Sequence, residues 1–171
     1  MSETAKELKE KLFYNKKNGL LKVDDATYEK AVDYCEGYKS FLNNAKTERE
    51  AVKTAVKMAE AKGFAPFDRN KSYKAGDKVY FNNRGKTIAL VVFGKEKAEN
   101  GVNITAAHID SPRLDLKPNP LYEEVDLALF KTHYYGGIRK YQWTAVPLAL
   151  HGVFVKRDGT VVNVSIGEKD D

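Results

Sequence analysis

Apolar positions recur at three- and four-residue steps through roughly the first sixty residues, then at two-residue steps or in short unbroken runs from residue 72 onward. The first rhythm belongs to helices with one apolar stripe, the second to strands. Residues 3–14 predict a short amphipathic helix with Leu8, Leu12 and Phe13 on one side, stopped by the Asn-Lys-Lys-Asn-Gly break at 15–19. A second helix is expected from Asp24 or Asp25, either of which can accept the free amide hydrogens of a first turn. Its stripe is Tyr28, Ala31, Val32, Cys35, Tyr38, Phe41 and Leu42, with Cys35 read as a small buried hydrophobe. A third helix opens on the capping box Thr47-Glu48-Arg49-Glu50, runs through Ala51, Ala55, Met58 and Ala59, and stops at Gly63.

After residue 72, Lys78–Phe81 and Thr87–Phe93 read as strands joined by the turn residues Asn82-Asn83-Arg84-Gly85. The run 87–93 is apolar on both faces, which predicts a central, covered strand. A further strand is expected at 102–107, ending on His108-Ile109-Asp110. On an extended strand, side chains two apart share a face, so His108 and Asp110 would point the same way at the strand's rim. An imidazole there can ligate a metal while the carboxylate fixes its tautomer. The stretch 112–120, with three prolines, predicts an extended crossover between modules. Leu127–Phe130, Thr144–Phe154 and Val161–Ile166 follow as short strands, with Asp158-Gly159 a hairpin signal. Helices first and short strands after indicate a mixed α/β or α+β chain.

Composition narrows the partners. Charged residues make up 31% of the 171 and hydrophobic ones 42%, and no apolar run reaches the length of a membrane span. The formal charge of +5 invites a nucleic-acid reading, but Lys and Arg alternate with Asp and Glu along the helices (KELKEK, KTEREAVKTAVKMAEAK), the pattern of a solvated face. Neither a nucleic-acid partner nor a membrane is expected. A single cysteine and a polar start point to a reducing, cytoplasmic setting.

The wording AHIDSPRLDLKPNP (107–120), then His133-Tyr-Tyr-Gly-Gly-Ile-Arg-Lys-Tyr-Gln-Trp143 and LALHGVFV (148–155), resembles the M18 metalloaminopeptidases, the aspartyl aminopeptidase and aminopeptidase I group, in their bacterial branch. The resemblance covers residues 75–167. It departs from the family at Thr144–Pro147, where many members carry an Asp-Arg pair. It implies the N-terminal part of a zinc-exopeptidase-like mixed α/β sheet with flanking helices (residues 1–115), followed by the start of an inserted β-rich assembly domain (116–171). It further implies that His108 ligates one metal of a two-zinc site, other divalent ions being possible, and that Asp110 is the active-site carboxylate that orients it. Tyr134, Tyr135, Trp143, His133 and His151 are expected to be packing or interface residues.

The expected activity is hydrolysis of N-terminal residues from peptide substrates. The remaining ligands would come from a missing C-terminal segment, so the isolated chain should be inactive and should oligomerise. The competing reading is a non-catalytic self-association or partner-binding module whose His-x-Asp is vestigial.

Overall fold

The computed structural model describes residues 4–14 and 16–168, so the first residue of the expected opening helix, the start of the break after it and the last three residues of the chain lie outside the described residues. The chain divides into two compact units between Ser40 and Phe41.

In the first unit, helix α1 (Ala5–Leu12) starts at Thr4, whose hydroxyl accepts from the Glu7 amide while the Glu7 carboxylate accepts from the Thr4 amide at 2.7 Å. This Thr-x-x-Glu signal was readable in the sequence. A 3-10 turn (Gly19–Lys22) follows, and α2 (Asp25–Asn43), whose residues from Phe41 onward belong to the second unit, begins at Asp24, whose Oδ1 accepts from the Thr27 amide at 2.8 Å. The stripe expected on α2 is laid out as predicted but largely open: Tyr28, Val32, Tyr38 and Leu42 are exposed, and Cys35 is exposed rather than buried. Helical spacing sets which side chains share a face; covering that face takes a second surface.

The second unit holds the core. Helix α3 (Glu48–Ala61) has the predicted Thr47–Glu50 box and ends on Gly63 at φ +82°. The Gly63 amide donates to the Glu60 carbonyl and the Phe64 amide to that of Ala59, a Schellman stop. Its buried residues Ala51, Val52 and Ala59 lie with Val79 of β2. Strand β1 (Ala65–Pro66) runs parallel to β2 (Lys78–Asn83), which pairs antiparallel with β3 (Thr87–Val92). Arg84 and Gly85 turn the hairpin with positive φ, and the Asn82 side chain accepts from the Gly85 amide at 2.8 Å.

Two expectations fail together here. The sheet order β1-β2-β3 leaves β3 at an edge with Leu90, Val91 and Val92 exposed, not covered on both faces. Residues 102–107 form no strand, and Ile104 is 81% exposed. Val102, Ile104 and Thr105 suit a pleated surface, but a strand exists only against a partner ladder, and none pairs with them among the described residues.

The segment read as a crossover is instead strand β4 (Arg113–Glu124), antiparallel to β5 (Leu127–Tyr135). It crosses the boundary expected at 115/116 without a break. Its register shifts between Leu116 and Leu121, where Pro118 and Pro120 lack the amides a regular ladder requires. Val125 and Asp126 make the connecting turn, both at positive φ. The strand expected from Thr144 is shorter: a one-turn helix α4 (Lys140–Trp143) precedes it, and β6 (Leu150–Val155) pairs with β7 (Val161–Ile166) through the predicted Asp158-Gly159 turn. No described helix is long and apolar enough to cross a membrane.

Candidate metal-ligand site and its neighbours

His108 sits on the irregular segment between the 3-10 turn Ala98–Asn100 and β4. The strand that was to align it with Asp110 is absent, yet the two groups meet. His108 Nδ1 lies 2.8 Å from the Asp110 carbonyl oxygen and 3.2 Å from Asp110 Oδ1. Both partners accept only, so Nδ1 carries a proton, and in the neutral ring Nε2 holds the free lone pair. The side chain is 83% exposed, which leaves that lone pair accessible.

The ionisation of Asp110 is set mainly from β5. A hydrogen bond from the Tyr135 hydroxyl, with smaller help from His108 and against some desolvation, holds its carboxyl below the usual carboxylate range, and the same bond raises Tyr135. Tyr135 in turn lies under Arg113, its cross-strand partner, with the guanidinium 4.0 Å from the ring centroid. Arg113 Nε is 2.7 Å from Asp115 Oδ1, two residues along the same face of β4, and Nη1 is 3.0 Å from Glu48 Oε1 at the start of α3. The tyrosine expected to serve packing thus stands between the His108–Asp110 pair and a charged network. The cross-strand register of β4 and β5 places it there, and no local spacing in the sequence states that register.

His133 and His151 go elsewhere. His133 packs edge-on against Tyr134, centroids 5.4 Å apart. His151 is held between Glu50 and Glu168. A catalytic zinc takes three protein ligands and an open position. His108 offers one nitrogen on an oriented ring, and among the described residues no group of three His, Cys, Asp or Glu side chains is placed to hold an ion. The residues present fit one corner of a zinc site, not the whole.

The family described as Aminopeptidase I zinc metalloprotease (M18) matches residues 41–170. A probable M18 family aminopeptidase 1 of Clostridium acetobutylicum is 51% identical over 158 residues, covering 90% of this chain and 34% of that relative. Aminopeptidase I from Borrelia burgdorferi B31 superposes with a TM-score of 0.83 at 38% identity, covering 88% of this chain and 37% of its own. The M18 aminopeptidase structure from Thermotoga maritima gives 0.82 at 42% identity, covering 92% and 34%. This chain spans about a third of the length of the relatives it matches.

Proposed function

The chain belongs to the M18 family of aminopeptidase I zinc metalloproteases, and on that footing we propose that it forms the N-terminal part of a two-zinc aminopeptidase releasing N-terminal residues from peptides. In that reading His108 ligates one metal through Nε2, and Asp110 holds the ring in the ligating tautomer. The observation that carries it is the His108 ring itself, its Nδ1 committed to Asp110 and its other nitrogen open. A metal in a complete site of this kind polarises the scissile carbonyl and activates water. The contribution of this chain is narrower: it presents one oriented nitrogen, and Tyr135 favours the charged form of the orienting carboxylate.

The other ligands belong, in this proposal, to a C-terminal segment beyond the third of the family represented here. Residues 116–171 open an inserted β-rich domain, and the exposed apolar surface of β3, β5 and β6 supports contact with that segment or with further copies of the chain. The purified 171-residue chain, given zinc or manganese, should not hydrolyse aminoacyl-nitroanilides; clear turnover would overturn the proposal of an incomplete site. In a polypeptide extended through the remaining family length, His108→Ala should remove one metal and the activity. Asp110→Asn should weaken metal binding by about 10- to 100-fold. Full metal content in His108→Ala, read by elemental analysis, would sink the ligand assignment whatever the activity.

A further inference from the structure

The first turn of α3 holds both distal hairpins, and it holds them by different chemistry. Glu48 takes Arg113 of β4, a cation at every physiological pH. Glu50 splits its two oxygens: Oε2 accepts from the Thr47 amide and hydroxyl at 3.0 and 3.2 Å, completing the helix cap, while Oε1 lies 2.8 Å from His151 Nδ1 on β6. On the other side of the ring, Nε2 lies 2.8 Å from Glu168 Oε1. Gly167, at φ +88°, turns the chain at the end of β7 just before Glu168. The ring is buried to 11% exposure. Carboxylates only accept, so satisfying both contacts requires a proton on each ring nitrogen, an imidazolium clamped between two anions.

We propose that Glu50, His151 and Glu168 form a pH-operated latch that fastens the β6–β7 hairpin to the capped end of α3 and releases it when His151 loses a proton. The cleft this hairpin borders, about 900 Å³ and walled by Leu114, Leu116, Pro147 and Leu150, widens on release. The other charges facing it are Lys46, Arg49 and Lys53 around the start of α3, Lys86 beyond the β2–β3 turn, and the Arg113–Asp115–Glu48 set. The first four oppose a further positive charge and Asp115 and Glu48 are already paired, so the two contacting carboxylates decide the balance. Burial works against the charged ring, and the hydrogen bonds that the ring donates to Glu50 and Glu168 overcome it, setting His151 above the ordinary 6.5. Burial likewise resists ionisation of Glu50, and His151 and Thr47 together bring it below the ordinary 4.5.

A raised histidine contributes fully below its unfolded-state value and loses that contribution as pH climbs through the folded value. A lowered glutamate contributes above its unfolded value and loses it as pH falls through the folded one. The latch is therefore closed from moderately acidic to near-neutral pH and opens on the alkaline side.

Amide hydrogen exchange on the 171-residue chain from about pH 6 to pH 9, expressed as protection factors so that intrinsic exchange cancels, tests it. Protection of Leu150–Val155 and Val161–Ile166 should fall about tenfold relative to β2–β3 across that range. His151→Gln should hold the hairpin at the low level throughout. Glu168→Gln, at an exposed chain position that leaves the core untouched, should move the transition to lower pH if His151→Gln proves unstable. A flat profile in the parent chain, or an unchanged transition in either variant, overturns the latch.

Discussion

The layer made by α3, β2 and β3 and the two hairpins beyond it are joined to one helix by opposite means. Ala51, Val52 and Ala59 of α3 and Val79 of β2 are the buried apolar residues where these two elements meet, and their burial depends on no ion pair and no titrating group. The hairpins β4–β5 and β6–β7 pair only within themselves, expose Leu121, Leu127, Phe130, Phe154 and Val162, and reach α3 through Arg113–Glu48 and His151–Glu50. Apolar contact decides whether the unit folds. Ion pairs decide where the hairpins sit.

The harshest way to break this contrast is to attack the apolar contact. Val52 is 1% exposed, and Val52→Asp places a carboxylate there with no partner, at a cost on the order of 4 kcal/mol. A contact this small has little to spare, so cooperative urea unfolding followed by circular dichroism should disappear. A midpoint near that of the parent chain would mean that the unit is not held where the burial says it is.

Arg113→Lys asks the same of the ionic side and should cost less. A lysine keeps the charge but cannot serve Glu48 and Asp115 from one planar fork while lying flat on Tyr135. The expected loss is about 1 kcal/mol, confined to amides of β4 and β5 and shrinking in high salt. Loss spread equally into α3 would show that the hairpin is integral to the core and not hung from it.

The same division explains what could be read in advance. The first three helices, the turns at Asn82–Gly85 and Asp158-Gly159 and the Thr47–Glu50 box are local, with spacing, turn residues and caps within a few positions of each other, and these are legible in the sequence; the turn at Val125-Asp126 and the one-turn α4 carry no such signal. The pairing of His108 with Asp110 was local too and survived the loss of the strand meant to create it. What stayed hidden depended on distant partners. Thr87–Phe93 looks like a central strand and sits at an edge because nothing in the run itself states what lies beside it. Pro118 and Pro120 masked a strand that tolerates them by shifting register. Glu50 was visible as a cap and invisible as the partner of a histidine 101 positions away.

The gentlest perturbation separates the hairpins from each other. Val125 turns β4 into β5 at φ +52°, a conformation that crowds a β-branched side chain, and Asp126 follows at +59°. Two positive φ values in a two-residue connection describe a turn that favours asparagine or glycine at these positions. Val125→Asn removes strain from the folded hairpin and takes an exposed apolar group off the surface. It should raise protection around Glu123 and Ala128 by about 0.5 kcal/mol, roughly twofold. Because the turn touches neither Glu48 nor Glu50, the gain should stop at β5 and leave both the β6–β7 profile and its pH dependence as they were. A matching rise in β6–β7 would mean that the hairpins move as one body, and α3 would then hold a single β layer through two ion pairs instead of two independent arms.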